Sequence, residues 1–176
     1  RFASSRVYIE KAQITAPVTQ LSPQTSGILE QLYVHEGDVV NKDALIARVG
    51  NELIKTKTDG EIVSVTNTIG ALINRGTVIA SMVRSEDLRV DGHVQENSGL
   101  RDIHVGQIAL FTVDAFGSKQ YTGVVDEVAS TSRSGDIVFS ISDKRAEQDF
   151  DVKVRFDTTQ YPELKNGMSA KIWVIR

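Results

Sequence analysis

Few residues in this chain are of a type and spacing that could do chemistry. The histidines, His35, His93 and His104, fall in three separate segments and share no i, i+2 or i, i+4 spacing. They therefore predict neither a metal site nor an acid/base pair. His35 lies beside Glu36 at a Gly37 turn, a setting for an exposed polar residue. Lys55 and Lys57 could carry a covalently attached group, but their setting, Ile54-Lys55-Thr56-Lys57-Thr58, alternates and puts both on one solvated strand face. Ser132, Ser134 and Asp136 cluster in TSRSGD, where Gly135 completes a hairpin loop. Asp114 and Asp126 are read as solvent-exposed strand residues. The two methionines, Met82 and Met168, are too few and too strand-like for a soft-metal relay. The sequence contains neither G-x-S-x-G nor G-x-x-x-x-G-K-[ST]. The chemistry expected is that of surfaces, without catalysis, cofactor or metal.

Composition agrees with that. The 176 residues carry a formal charge of -3 with no dense Lys/Arg run, which argues against nucleic acid as a partner. The absence of cysteine excludes disulfides and thiolate metal sites. No apolar run approaches the ~18 residues that span a bilayer. Because the chain opens on Arg1, the expectation is a fragment whose membrane anchor lies outside it.

The elements that must position these residues are strands. FDVKVRF (Phe150, Val152, Val154, Phe156), SAKIWVI (Ala170, Ile172, Val174) and DIVFSIS (Ile137, Phe139, Ile141) alternate with period two. Only 96–103 and 143–149 could hold a helical turn, and the class is all-β.

The chain also repeats itself. GILEQLYVHEGDVVNKDALIARV from Gly27 and GEIVSVTNTIGALINRGTVIASM from Gly60 align at a shift of 33 residues. Gly37 matches Gly70, Val40 matches Ile73, Asn41-Lys42 match Asn74-Arg75, and Leu45-Ile46-Ala47 match Val78-Ile79-Ala80. Each copy reads as strand, glycine turn, short strand, polar turn and closing strand, with Val40/Ile73 and Leu45/Val78 expected to face inward. Neither copy could close a core alone, so the two should pair as a pseudo-two-fold β-sandwich.

A sandwich of two such halves resembles the biotinyl/lipoyl domain. Residues 22–49, SPQTSGILEQLYVHEGDVVNKDALIARV, resemble the first lipoyl half of HlyD/EmrA-type periplasmic adaptors, also called membrane fusion proteins. Residues 58–83 resemble the half that follows that family's helical hairpin. Residues 88–129, with Glu96, Gly106-Gln107, Asp114-Ala115 and Tyr121 to Val125, and 164–175, with Gly167-Met168-Ser169-Ala170, are similar to its β-barrel. The resemblance implies an N-terminal strand over 1–17 joining the barrel, a lipoyl-like domain over 18–85 and the barrel over 86–176, with Pro17 and Pro23 at the crossing.

Function follows from the resemblance as an expectation: a non-enzymatic adaptor in efflux or type I-like secretion. Its implied partners are an inner-membrane transporter of ABC, MFS or RND class, further copies of the chain in a ring and, through the hairpin, an outer-membrane channel. The implied location is the periplasm, at the inner membrane. Asn41, Lys42, Asn74 and Arg75 are the candidate protomer contacts, and Glu96, Asn97, Arg101 and Arg133 the candidate transporter-facing residues. Where relatives carry the hairpin, this chain has only Gly50, Asn51 and Glu52, too few for a helix. Two other readings stand beside this one: the periplasmic scaffold of a polysaccharide polymerisation or export complex, and a lipoyl or biotin carrier, which would need Lys55 or Lys57 on the turn between halves.

Overall fold

The computed structural model describes residues 5–131 and 148–176. The expected strand around Ile137, Phe139 and Ile141, the Ser132–Asp136 loop, and Arg133 lie outside the described residues, as does most of the expected helical turn at 143–149. The strands are β1 (Arg6–Thr15), β2 (Val18–Leu21), β3 (Gly27–Leu32), β4 (Val39–Val40), β5 (Leu45–Val49), β6 (Glu52–Lys55) and β7 (Gly60–Val65). They continue as β8 (Leu72–Ile73), β9 (Ala80–Arg84), β10 (Arg89–Gln95), β11 (Ile108–Val113), β12 (Gln120–Ser130), β13 (Asp149–Arg155) and β14 (Ser169–Ile175). Short 3-10 turns occupy Ser85–Asp87, Leu100–Asp102 and Asp114–Phe116. The chain divides into two units, Ala16–Leu88 and Arg1–Thr15 with Arg89–Arg176.

The first unit is a sandwich of two four-stranded sheets, ordered β2-β9-β7-β4 and β6-β5-β3-β8. The order shows why neither repeat could close a core alone. Each half keeps its second and fourth strands together, β3 with β5 and β7 with β9, and lends its first and third to the other half's sheet: β4 pairs with β7, and β8 with β3. The pairing of β2 with β9 and of β6 with β5 completes the exchange. The repeat thus begins earlier than Gly27 and Gly60, at β2 and β6, with Thr19↔Met82 mirrored by Val49↔Glu52 at the same shift.

Hydrogen bonds between and within the halves obey the same shift. The Gly37 N–H donates to the Ile62 carbonyl at 2.7 Å, and the Gly70 N–H to the Leu29 carbonyl at 2.8 Å. The Tyr33 N–H donates to the Ile46 carbonyl and the Thr66 N–H to the Ile79 carbonyl, both at 2.8 Å. The core is built from matched pairs: Leu29 with Ile62, Ile46 with Ile79, Val49 with Met82, and Val40 with Ile73, all buried. Leu45 and Val78, expected to face inward, are only half-buried, and Ile46 and Ile79 take the interior. An irregularity between Leu45 and Ala47 breaks the alternation on β5, so Ile46 and Ala47 are consecutive and both buried.

The second unit is a closed antiparallel barrel in the order β1-β10-β13-β12-β11-β14. Val7, Ile9, Val90, Phe111, Tyr121, Val125, Val152, Val154 and Ile172 are among the residues of its buried core. Closure pairs both edges of every strand, which removes the free edges that invite aggregation. Tyr121 is wholly buried as a ring yet keeps its hydroxyl satisfied, donating to Glu163 Oε1 at 3.1 Å.

Candidate functional site

The junction between lipoyl-like halves is a tight β-hairpin. β5 and β6 run through Val49↔Glu52, leaving Gly50 and Asn51 as the turn, with Gly50 at φ 58°. Glu52 is therefore already in a strand. Its carboxylate binds the loop leading into β3: it accepts the Gln24 N–H at 3.0 Å, the Thr25 N–H at 3.0 Å and the Thr25 hydroxyl at 2.9 Å. The Gln24 bond is the main reason the carboxyl lies below its usual range, against an opposing effect of burial, with the Thr25 bonds adding to the lowering.

The two polar turns are pinned rather than free. Asn41 and Lys42 are exposed, but the Lys42 N–H donates to Asp59 Oδ1 at 2.7 Å. Asn74 and Arg75 are exposed likewise, and the Arg75 N–H donates to Ser26 Oγ at 3.1 Å. The turns are tied to different segments, each to the residue preceding the opposite repeat's glycine. Both present a charged side chain outward from a backbone fixed by the other half. The same position in each turn has positive φ, 67° at Asp43 and 81° at Gly76.

On the barrel, Glu96 and Asn97 follow β10, and the Glu96 N–H donates to the Gln148 carbonyl at 3.1 Å. Arg101 stands almost fully exposed, 92%, on the turn Leu100–Asp102. Its neighbour Asp102 pairs with Arg176 at 3.2 Å. Glu96, Asn97 and Arg101 are all exposed on the stretch that joins β10 to β11. Asp114 and Asp126 do not come together as a catalytic pair: Asp114 is exposed at the turn after β11, while Asp126 binds Arg89 at 2.8 Å and Arg155 at 3.5 Å. The Arg89 hydrogen bond foremost holds the Asp126 carboxyl below its ordinary range.

One cluster escapes the reading of the histidines. Asp91 and His93 project from the outer face of β10, and the register His93↔Asp151 brings Asp151 of β13 alongside them. One ligand-type atom from each of the three lies within 4.8 Å of the others. Burial, then the charge of Asp151, push the Asp91 carboxyl above its ordinary value. The clue in the sequence was Asp91-x-His93, a same-face i, i+2 pair of mixed type; comparing histidines only with one another misses it.

No family model matches the chain. YhbJ of Bacillus subtilis (strain 168), assigned as an efflux system component, is 23% identical over 135 residues, 75% of this chain and 61% of that protein. The chain thus spans less than two thirds of that relative. The structure of the periplasmic adaptor protein EmrA superposes with a TM-score of 0.72 over 99% of this chain and 100% of that one, at 10% identity. This is the fold of the periplasmic adaptor proteins. ZneB from Cupriavidus metallidurans superposes with a TM-score of 0.73 over 99% of this chain and 100% of that one, at 12% identity. At such identities the likeness lies in the fold. Within that fold the tip of the junction between lipoyl-like halves is Gly50-Asn51. Lys55 closes β6 and Lys57 sits in the bend beyond it, so neither is at the tip.

Proposed function

We propose that this chain is an adaptor subunit of a transporter assembly, joining an inner-membrane transporter to further proteins of the cell envelope without catalysis. The observation that carries this reading is the coupling of a strand-exchanged lipoyl-like sandwich to a closed barrel, the adaptor fold over nearly the whole chain. Such units hold a fixed shape and offer exposed turns for contact. The likeness to an efflux system component of Bacillus subtilis supports the same assignment.

In this reading the barrel stretch with Glu96, Asn97 and Arg101 meets the transporter. The turns at Asn41-Lys42 and Asn74-Arg75 meet neighbouring copies of the chain, in the periplasm. Two equivalent exposed basic turns on one pseudo-symmetric domain suit contacts between copies of the chain. A carrier role would place its lysine at the hairpin tip, where this chain has Gly50 and Asn51.

The test is affinity purification of the tagged, chromosomally expressed full-length protein from gently solubilised membranes of its host. A polytopic transporter recovered in near-stoichiometric amount supports the proposal. Recovery of the protein alone, or with a soluble enzyme, would overturn it.

A further inference from the structure

The described residues place three metal-ligand-type atoms together on the outer wall of the barrel, within 4.8 Å of one another. Oδ1 of Asp91 and Oδ1 of Asp151 are both shielded from solvent, and neither has a hydrogen-bond partner. His93 Nδ1 nevertheless lies 2.7 Å from Asp151 Oδ1. A separation that short needs either a hydrogen on His93 Nδ1, in the neutral or the charged ring, or a metal ion bound by both atoms. Lys153 stands across from Asp91 in register but directs its Nζ to Glu127 at 3.4 Å. The His93 side chain is 57% exposed, so the cluster opens outward.

We propose that Asp91, His93 and Asp151 bind one divalent transition-metal ion of the zinc class. Two carboxylate oxygens and one imidazole nitrogen make a borderline donor set, which favours such ions over calcium or magnesium, whose sites are built from oxygen alone. Three protein ligands with an outward-facing side match an ion that keeps water in its remaining position. Each strand contributes to the site, two ligands from β10 and one from β13, so the ion clamps adjacent strands of the barrel. Strand geometry supplies this without a loop: Asp91 and His93 share a face by the two-residue period, and the register adds Asp151. The alternative is a hydrogen on His93 Nδ1, which would make the contact an ordinary hydrogen bond to Asp151, or an ion pair where the ring is doubly protonated.

The experiment titrates the metal-stripped 176-residue chain with zinc chloride by calorimetry and reads the His93 ring nitrogens by long-range proton–nitrogen NMR. The expected result is one zinc per chain, with the His93 Nδ1 resonance moving to a metal-bound position. His93→Ala and Asp151→Asn should each weaken binding by at least ~10-fold, since even loss of an outer-shell partner costs that much. His35→Ala and His104→Ala should leave it unchanged. Zinc should also raise the thermal midpoint of the parent and not of His93→Ala. Absence of saturable binding, or binding that survives His93→Ala, or an Nδ1 that stays protonated at saturating zinc, would overturn the proposal. The NMR readout uses the unaltered chain, so the outcome does not depend on any variant folding.

Discussion

The Lys42 N–H donates to Asp59 Oδ1 at 2.7 Å, and at the same shift of 33 residues the Arg75 N–H donates to Ser26 Oγ at 3.1 Å. Each turn of one half is thereby capped by the residue that introduces the other half's glycine strand. The charged side chains of Lys42 and Arg75 take no part in this bond. Their backbones are fixed for structure, which leaves the side chains for contact.

Removing the cap should cost stability, and removing the charge should not. Asp59→Ala should destabilise by about 1 kcal/mol, the ordinary net worth of an exposed backbone-to-side-chain bond. Asp59→Ser should recover most of it, since serine does this work at position 26 in the other half. Lys42→Ala should stay within about 0.5 kcal/mol of the parent. Urea unfolding of the four proteins checks all of this.

The turn position with positive φ is glycine in one half and aspartate in the other. Asp43 at φ 67° bears the left-handed strain that Gly76 at φ 81° avoids. Asp43→Gly should stabilise by roughly 0.5 kcal/mol, strain relief of ~1 kcal/mol or more being partly offset by the entropy of glycine in the unfolded chain. Gly76→Ala should destabilise by about 1 kcal/mol. Denaturation midpoints at constant slope give the comparison.

Gly60 is required for space. A Cβ there would lie 2.2 Å from the Val83 carbonyl oxygen and 2.5 Å from Met82 Cε, and backbone cannot step aside as a side chain can. Gly60→Ala should cost about 3 kcal/mol or more. At Gly37 a Cβ meets nothing within 4 Å, so Gly37→Ala should cost only the backbone strain, about 1 kcal/mol. Thermal melts of the two variants should differ accordingly.

Glu52 gives the junction a pH dependence. Its folded carboxyl is lowered, chiefly by the Gln24 N–H, so its contribution is present above the unfolded carboxylate value near 4.5 and is lost as pH falls through the folded one. Glu52→Gln should therefore be less stable than the parent at pH 7, and the difference should shrink at acid pH. Urea midpoints at neutral pH and below pH ~4 measure it.

What could be read in the sequence was whatever local rules encode. The glycine turns, the polar turns and the apolar positions recur in both copies of the repeat, so comparing the chain with itself exposes them. The first strand of each copy escaped because Val18-Thr19-Gln20-Leu21 and Glu52-Leu53-Ile54-Lys55 share little beyond the apolar pair Leu21 and Ile54. The burial of Ile46 in place of Leu45 escaped because an irregular register, which no two-residue period encodes, decides it. The Asp91, His93 and Asp151 cluster depends on the pairing of strands far apart in the chain, and only half of it is visible as a spacing.

The lysines near the junction make a separate prediction. Lys55 ends β6 and Lys57 follows it in a bend, so neither is presented at the hairpin tip. Intact-mass measurement of the protein from its native host should show both unmodified, and a lipoyl or biotinyl adduct on either would restore the carrier reading.

The adaptor account stands most directly on what touches that stretch of the barrel in the living cell. A photo-cross-linking residue placed at Arg101 should capture a polytopic inner-membrane transporter, and one placed at Lys42 should capture a second copy of this chain. If the Arg101 probe captures no membrane transporter while the protein is folded and expressed, or captures a soluble enzyme instead, the account is contradicted.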